Sequence, residues 1–235
     1  MPLMRLDKLL SEATIFTRSQ LKQIIRNGRV TVDGAVITAP EYKLEADAAL
    51  VCVDGEPVSY SEFHYFMLNK PAGLLSATDD KKQRTVIDLF PTELKRRLFP
   101  VGRLDKDTTG LLLITDDGDF AHTVISPRSE IVKTYHAVTS QPVSDDDIAA
   151  FARGIVLADG TQCLPAGLER CDDGSCLVRV MEGKYHQVKR MLASCGKPVV
   201  ELKRLQIGGL KLDQTLAEGE FRQLTKDELC SVIKE

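Results

Sequence analysis

The sequence contains no segment that could anchor the chain in a membrane. Its longest apolar runs, such as Leu111 to Ile114, are far shorter than the roughly 20 residues of a membrane-spanning helix. The N-terminus lacks the apolar core and cleavage site of a signal peptide. Hydrophobic residues make up 43% of the chain and charged residues 28%, which is typical of globular proteins and excludes a disordered or collagen-like chain. We therefore expect a soluble, cytoplasmic protein.

The usual cysteine, histidine and glycine motifs are also missing. The six cysteines form no Cys-x-x-Cys pair, which argues against zinc and thioredoxin-like sites, and the four histidines show no metal-binding spacing. Secreted disulfide scaffolds are shorter and richer in cysteine, so we interpret these residues as reduced thiols. No Walker A loop, nucleophile elbow or dinucleotide-binding glycine motif occurs. Nucleotide hydrolysis, serine esterase chemistry and dinucleotide binding therefore lack their usual signatures.

Positive charge is in slight deficit overall. The 235 residues include 31 Lys plus Arg and 34 Asp plus Glu, which gives a net charge of −3. Taken alone, this balance disfavours nucleic-acid binding, because most nucleic-acid-binding domains are basic. Charge acts over only about 10 Å, however. Residues 1–34 carry six basic and three acidic groups, whereas residues 35–62 carry one and six. The average therefore hides a basic segment.

This basic segment is predicted to form two helices and a hairpin. Apolar residues at helical spacing mark both helices, and Thr17 with Gln20 makes a capping box at the start of the second. Gly28 ends that helix, and Asp33-Gly34 predicts a type I′ turn between two strands. Three basic residues spaced four apart on the second helix form what we call the basic ridge: Arg18, Lys22 and Arg26.

The basic ridge has two interpretations. Most charged ridges are solvated helix faces, and this one can be read in the same way. However, residues 5–10, 18–19 and 25–34 resemble the S4 RNA-binding domain in order and spacing, over about residues 4–60. That resemblance implies contacts with RNA phosphates, which confer affinity more than sequence choice. The RNA-binding residues implied are Arg5, Arg18, Lys22, Arg26 and Arg29.

Beyond a linker at residues 57–63, the pattern changes to mixed strands and helices. Strands are predicted at 64–68, 111–115, 134–139, 176–181 and 199–207. Helices are predicted after Ser144, over 186–195 and after Thr225. Because strands predominate and helices are inserted irregularly, we predict an α+β fold. It comprises a small S4-like domain (1–60) and a larger domain (61–235) with a mostly antiparallel or mixed central sheet and flanking helices.

The most unusual segment is the hydroxyl-rich loop at residues 101–110, which runs into the apolar strand predicted at 111–115. Loops on a rigid support commonly hold functional side chains. Two simpler readings exist. The aspartates could accept backbone N–H bonds in a surface turn, or Asp105 and Asp107 could bind a divalent cation. A lone Asp-x-Asp is common, however, and residues 116–119 do not fit an EF-hand loop.

The same segment resembles a known enzyme signature. Residues 102–105 (GRLD) and 107–112 (DTTGLL) are similar to the signature of the RsuA/RluB/RluE/RluF family of bacterial ribosomal RNA pseudouridine synthases. Further matches follow in the expected order at residues 66–73, 133–135, 182–191 and 202–210. With the S4-like part, the resemblance covers nearly the whole chain. It is strongest to the small-subunit type, which acts on 16S rRNA.

The resemblance implies isomerisation of uridine to pseudouridine. This reaction breaks the bond from ribose C1′ to uracil N1 and makes one to C5, and it requires no metal, redox cofactor or external energy. Asp105 is implied as the nucleophile, Lys189 as its ionic partner and Tyr135 as a stacking surface for the flipped base. Whether Asp105 attacks C1′, attacks C6 or removes a ribose proton stays open. Without the resemblance, Tyr135 reads as ordinary strand packing.

Further residues are implied around this loop. On the predicted helix, Lys189 lies at the edge of the apolar face and Arg190 lies opposite, towards solvent or RNA phosphate. Arg103 is expected to fill the space left by the flipped base or to hold a flanking phosphate. The RNA contacts implied here are Arg103, Arg190 and Arg204, with Lys81, Lys82, Arg84, Arg128, Lys133 and Lys184 as further candidates. The supporting residues are Gly102, Leu104, Thr108, Thr109 and Leu202.

Three functions are to be distinguished. The first is a cofactor-free, metal-free isomerase that acts on 16S rRNA at uridine 516, either on free RNA or within a pre-30S ribonucleoprotein. The second is the same chemistry on a 23S rRNA stem-loop. The third is a non-catalytic S4-type RNA-binding or ribosome-assembly protein, which has no need for Asp105, Tyr135 and Lys189 together. No heptad seam or large apolar patch is evident, so we expect a monomer with ribosomal RNA as its partner.

Overall fold

The computed structural model describes residues 3–14, 16–45, 49–58, 63–95 and 97–233. The chain divides into two compact units, Met1–Phe63 (the N-terminal unit) and His64–Glu235 (the C-terminal unit). Most of the predicted linker, residues 59–62, lies outside the described residues. No helix in the described ranges is long and apolar enough to cross a membrane.

The N-terminal unit packs two helices against short strands. The helices are α1 (Leu6–Ala13) and α2 (Arg18–Arg26). The strands are β1 (Met4–Arg5), β2 (Val30–Val32), β3 (Ala35–Val36), β4 (Lys43–Leu44), β5 (Val51–Val53) and β6 (Glu56–Pro57). The order β3-β2-β5-β6 makes an antiparallel sheet, and β1 pairs with β4. Asp33 and Gly34 both have positive φ, 50° and 82°, which confirms the predicted turn between β2 and β3.

The capping box at the start of α2 is present. The Thr17 backbone N–H donates to Gln20 Oε1 at 2.8 Å, and the Gln20 N–H donates to Thr17 Oγ1 at 3.4 Å. These two bonds satisfy donors that a helix start would otherwise leave unpaired. The apolar stripe of α2 is buried against α1 and β2, and the basic ridge on its other side is exposed. Burial of the stripe therefore fixes the direction in which the ridge points.

The C-terminal unit is built around one large mixed sheet. Its strands are β7 (Tyr65–Lys70), β8 (Phe99–Pro100), β9 (Thr109–Thr115), β10 (Lys133–Thr139), β11 (Gly167–Arg170), β12 (Cys176–Val180), β13 (Val199–Ile207), β14 (Leu210–Lys211) and β15 (Phe221–Gln223). Its helices are α3 (Thr92–Lys95), α4 (Gly118–Ile125), α5 (Asp145–Arg153), α6 (Gln187–Ser194) and α7 (Lys226–Ile233), with 3₁₀ turns at Val86–Leu89 and Pro127–Ser129.

The strand order is β11-β12-β10-β13-β9-β7-β15, with β8 beside β9 and β14 beside β13. These pairs are antiparallel except β9 with β13, which run parallel. The predicted α+β class with a mostly antiparallel or mixed sheet is thus confirmed. At the parallel pair, Gly110 (φ 96°) lies opposite Arg204, where a Cβ would come within 2.3 Å of the Arg204 carbonyl oxygen. Only glycine fits at this contact, so Gly110 allows the two halves of the sheet to join.

Three apolar clusters support the sheet. The first packs α5 and α6 on β10, β12 and β13, and the second packs α4 and α7 on one face of β7 and β9. The third covers the other face of β7 and β9 with residues from the 3₁₀ turn, Phe90 and Leu104. Tyr135 on β10 packs against both the first and the third cluster. It therefore lies where the loop that contains Leu104 approaches α6.

Several described elements go beyond the prediction, among them β11, β15 and α4. Strands β11 and β15 are four and three residues long, too short to show an alternating pattern. No helix was predicted after the acidic run at 116–119, but the Asp117 side chain accepts the Phe120 N–H at 3.0 Å and so caps α4.

Candidate active site

The Asp105 loop, residues 101–108, connects β8 to β9 and is fixed at several points. The Val101 N–H donates to the Leu113 carbonyl at 2.8 Å. Leu104 is buried, and Ser76 bonds it twice: Ser76 Oγ donates to the Leu104 carbonyl (2.8 Å) and accepts its N–H (3.0 Å). Since Leu104 is anchored on both backbone groups, the adjacent Asp105 side chain is held in a defined position.

Lys70 stabilises the Asp105 loop through hydrogen bonds to its backbone. This side chain is fully buried, and its Nζ donates to the carbonyls of Pro71, Lys106 and Thr108 at 2.9, 3.2 and 3.0 Å. Burial lowers the pKa of Lys70 to about 8. The sequence placed Lys70 in a family motif without giving it a role. Its contacts show that it ties the end of β7 to the carbonyls of the Asp105 loop.

Two nitrogen-bearing side chains, Lys189 and His186, approach Asp105 from the α6 region. Lys189 Nζ lies 3.0 Å from Asp105 Oδ2, and His186 Nε2 lies 3.5 Å from Asp105 Oδ1. Lys189 also donates to Asp107 Oδ1 at 2.6 Å. Burial alone would lower the pKa of Lys189, but the hydrogen bonds that it donates to Asp107 and Asp105 raise this pKa above its ordinary value. Lys189 therefore stays protonated at neutral pH.

The Asp107 carboxylate changes the interpretation of the Asp-x-Asp pair. Its side chain is 76% exposed, and the hydrogen bond from Lys189 lowers its pKa. The alternative of a divalent-cation site built on Asp105 and Asp107 conflicts with this geometry, because the Lys189 ammonium lies between the two carboxylates. Within the described ranges, no three His, Cys, Asp or Glu side chains are grouped so that they could hold a metal ion.

The segment before α6 is ordered by a buried carboxylate. Glu182 accepts the Leu164 N–H (2.9 Å) and the Gln187 side-chain amide (2.8 Å), and it pairs with Lys184. Burial alone would raise the pKa of Glu182, but the Lys184 ammonium and the Leu164 N–H lower it below its usual range. His186 follows with a left-handed backbone, φ 49°. These bonds fix the turn that presents His186 and Lys189 to Asp105.

Tyr135 and Arg204 form a pair on neighbouring strands. Arg204 Nη1 donates to the Tyr135 hydroxyl at 3.4 Å, and Arg204 Nε donates to the Leu111 carbonyl at 2.7 Å. The guanidinium carbon lies 5.9 Å from the centre of the Tyr135 ring. Arg204 was expected to contact RNA, but only 5% of it is exposed. Its position is that of a buried support, which holds Tyr135 and β9 in place.

A small cleft of about 70 Å³ brings the predicted catalytic residues together. Asp105, Tyr135 and Lys189 all line it, and Arg103 lies at the same cleft with an exposed side chain. Of the predicted supporting residues, three line the cleft: Leu104, Thr108 and Leu202. Thr109 begins β9 opposite Lys203, and Gly102 has a φ of 74° that glycine tolerates. The structure therefore assembles one polar site from four separate stretches of sequence.

The remaining RNA-binding candidates differ in whether their charge is already paired with a carboxylate. Among the described residues, the three members of the basic ridge are exposed and form no ion pair. Arg5 is paired with the buried Asp7, and Arg29 is paired with Asp54 on the surface. Arg190 pairs with Asp159 at 2.5 Å and donates to the Tyr185 carbonyl at 3.3 Å. Any RNA contact by Arg190 must therefore compete with Asp159.

One of the further candidates is also buried. Lys133, expected at an RNA backbone, is only 9% exposed and stands two residues before Tyr135 on β10. Burial, together with the nearby charge of Arg204, lowers the pKa of Lys133 to about 8. In sequence, a lysine next to a strand gives no sign of this burial, because it depends on the neighbouring strands β12 and β13.

Comparison with known proteins identifies the family. A family model described as RNA pseudouridylate synthase matches residues 64–194, and the S4 domain model matches residues 4–50. This chain belongs to the RNA pseudouridylate synthase family. The first match contains Asp105, Tyr135 and Lys189, and the second contains the basic ridge. The family resemblance drawn from the sequence is confirmed.

Relatives of this synthase match it over nearly its whole length. It is 44% identical over 231 residues to an uncharacterised RNA pseudouridine synthase of Bacillus subtilis, covering 96% of this chain and 97% of the relative. It is 43% identical over 234 residues to the ribosomal small subunit pseudouridine synthase A of Escherichia coli, covering 98% and 100%. A crystal structure of a pseudouridylate synthase superposes with a TM-score of 0.70 and 39% identity, covering 97% of this chain and 99% of that one.

Proposed function

We propose that this synthase converts one uridine of 16S ribosomal RNA to pseudouridine, with Asp105 as the catalytic nucleophile. The 16S assignment is supported by the relatives named ribosomal small subunit pseudouridine synthase A, which align over 97 to 98% of this chain. The proposed target is uridine 516, in free RNA or in a pre-30S particle. The enzyme is proposed to act as a cytoplasmic monomer, with RNA binding in residues 1–60 and catalysis in residues 61–235.

The observation that carries this proposal is the setting of Asp105. Its carboxylate lies within 3.0 Å of the Lys189 ammonium, on a loop anchored through Leu104 and Lys70, in a cleft that Tyr135 also lines. A preorganised carboxylate beside an aromatic ring suits attack at a glycosidic carbon or at the base. Lys189 holds the carboxylate in one orientation and offsets its charge before the substrate arrives.

The reaction needs a base outside the helix stack. Extrusion of the uridine costs a few kcal/mol, and the cost is smaller when the nucleotide is already unpaired. The flipped uracil stacks on Tyr135, and Arg103 holds a flanking phosphate or occupies the vacated space. The bond from C1′ to N1 then breaks and one to C5 forms, while the C5 proton leaves and N1 gains a proton. Atoms and electrons balance without a cofactor.

The Asp105 side chain remains 23% exposed at the cleft, while Lys189 and His186 approach its two oxygens from the α6 side. The Tyr135 hydroxyl is already hydrogen bonded to Arg204, which orients the phenol for proton transfer at C5.

The exposed basic ridge supports a role for the N-terminal unit in affinity. The three cations of this ridge have no ion-pair partner in the part of the chain that the structure describes, so they can neutralise phosphates; such contacts carry little sequence information. Choice of the target is then left to the shape of the cleft and the RNA around it. A non-catalytic RNA-binding role leaves the assembled Asp105, Lys189 and Tyr135 without a purpose.

The test is the isosteric change Asp105→Asn. It keeps the shape of the side chain but removes the nucleophile, so pseudouridine formation should fall on the order of 10⁴-fold or more while RNA binding persists. Pseudouridines in 16S and 23S rRNA are mapped by carbodiimide labelling and primer extension, in cells that lack the wild-type gene and carry either variant. Product formed by the Asn variant would remove Asp105 from the mechanism.

Asp107→Asn is the matched control. This carboxylate shares Lys189 with Asp105, yet it is largely exposed, so its loss should lower the rate only about 2- to 5-fold. If both variants are equally inactive, the shared lysine rather than the Asp105 carboxylate explains the loss. A new pseudouridine that maps to 23S rRNA alone would retain the chemistry but overturn the 16S assignment.

A further inference from the structure

A second aromatic surface lies at the rim of the Asp105 cleft. Tyr185, two positions before α6, is 75% exposed. Its ring stacks on the His186 ring, with centroids 3.8 Å apart and planes 20° from parallel. One face of the tyrosine is therefore covered by histidine, and the other face is open to solvent.

This aromatic pair is ordered rather than loosely placed. Arg190 donates to the Tyr185 carbonyl at 3.3 Å and is itself held by Asp159. On the other side, the Lys184 N–H donates to Gln187 Oε1 at 2.9 Å, within the network around Glu182. Because hydrogen bonds hold the backbone on both sides, little further conformational entropy is lost when the exposed ring binds a flat partner.

The pair is also joined to the catalytic carboxylate. His186 Nε2 lies 3.5 Å from Asp105 Oδ1, so the order from the cleft outwards is Asp105, His186, Tyr185. Proteins bind single-stranded RNA by stacking unpaired bases on exposed aromatic rings backed by rigid structure. A single exposed tyrosine is ordinary on a protein surface, but here the ring is backed by a residue that contacts Asp105.

We propose that the open face of Tyr185 stacks an unpaired nucleobase adjacent to the target uridine. This inference rests on the proposed function of the Asp105 cleft and adds a contact for a neighbouring nucleotide. Tyr135 receives the target base inside the cleft, whereas Tyr185 holds its neighbour outside. The contact contributes to substrate binding and to the requirement for an unpaired loop, and it takes no part in the chemical step.

Tyr185→Ala tests this role. It should raise KM for a 16S stem-loop transcript that contains the target uridine roughly 10-fold and leave kcat within about twofold, because stacking is removed from ground and transition states alike. Tyr185→Phe keeps the ring and should restore KM. Val200→Ala, which shortens another exposed apolar side chain of the same unit, should change neither constant. Thermal unfolding of all three variants checks that the fold is retained.

Stacking is measured directly by replacing the base next to the target uridine with the fluorescent base 2-aminopurine. Wild-type and Tyr185→Phe proteins should quench its fluorescence on binding, whereas Tyr185→Ala should not. Quenching that persists with Ala, or a Phe variant that behaves like Ala, would overturn stacking by Tyr185. Repeating the titration with Asp105→Asn protein separates the two proposals. Stacking on Tyr185 should still quench the fluorescence there, even if the catalytic assignment of Asp105 fails. Conversely, a loss of the stacking proposal leaves the result for Asp105→Asn unchanged.

Discussion

Lys189 serves two carboxylates at once, which separates the roles of Asp105 and Asp107. The ammonium bonds the exposed Asp107 at 2.6 Å and reaches Asp105 at 3.0 Å. Asp107 thus holds Lys189 at the entrance of the cleft, and Lys189 in turn orients Asp105. In sequence, Asp107 reads as part of a turn, but in the structure it belongs to the same ion-pair network as Asp105.

Lys133 provides a pH test of burial at the scale of one residue. The pKa of Lys133 is about 8 in the folded protein, whereas its ordinary value is 10.5. Between pH 8 and pH 10.5, the unfolded chain therefore binds a proton at this side chain that the folded protein has lost. Stability contributed by this site therefore rises with pH in that window. The free energy of unfolding of the wild type, minus that of Lys133→Met, should increase by up to about 1.4 kcal/mol per pH unit from pH 8 to pH 10.

Urea denaturation of both proteins at several pH values measures this difference. The cysteines with raised pKa and Lys70 titrate in both proteins, so their effects cancel in the subtraction. The exposed Lys211→Met serves as the control and should show a flat difference. Parallel curves for wild type and Lys133→Met would mean that Lys133 is hydrated in the folded protein.

The residues that the family resemblance implied for the site differ in where the structure places them. The family resemblance pointed to Asp105, Tyr135 and Lys189, and the structure places these side chains in one cleft. It also implied that Arg204 binds RNA, but only 5% of Arg204 is exposed. Burial of Arg204 results from the close approach of β9 through Gly110, which no local pattern in β13 reveals. His186 was missed because its left-handed backbone depends on the Glu182 network.

At the scale of elements, local signals were sufficient where periodicity or capping was strong. The capping box of α2, the Asp33-Gly34 turn and the Ser144 cap of α5 are all present as predicted. The order of strands was not predictable, since it depends on pairs far apart in sequence. The parallel pairing of β9 with β13 brings Gly110 beside Arg204 across more than ninety residues. That pairing joins the loop of Asp105 to the strand next to Tyr135.

Gly110→Ala should disrupt this junction. The new Cβ would lie 2.3 Å from the Arg204 carbonyl oxygen and would meet a φ of 96°. Clash and backbone strain together should lower the free energy of unfolding by about 3 kcal/mol or more. Gly174→Ala is the matched control: φ is 84°, but nothing lies within 4 Å of the added atom. It should cost only about 1 kcal/mol.

Denaturant titration of both glycine variants decides between clash and strain. Equal losses would show that β9 and β13 separate freely to admit a methyl group. If Gly110→Ala is the more unstable, its remaining folded fraction should also be impaired in catalysis, because the Asp105 loop and Tyr135 meet through this junction.

At the scale of the whole molecule, the net charge of −3 averages over two units with different surfaces. The N-terminal unit contributes an exposed basic ridge, and the C-terminal unit contributes a small polar cleft. A protein of this kind gains affinity from few phosphate contacts, so RNA binding should be moderate and sensitive to salt. The total charge predicts neither property, because contacts act within about a Debye length.

Replacing the ridge with Arg18→Gln, Lys22→Gln and Arg26→Gln should flatten the salt dependence of RNA binding. Removal of one phosphate-binding cation lowers the slope of log K against log salt by roughly 0.7 to 0.9, so the triple variant should reduce the slope by about 2. A control with Arg153→Gln, Lys211→Gln and Lys226→Gln removes the same charge from exposed sites of the C-terminal unit and should leave the slope nearly unchanged. Fluorescence anisotropy with a 16S rRNA fragment at several salt concentrations gives both slopes. Equal flattening by the two triple variants would show that total charge, rather than the ridge, governs the encounter.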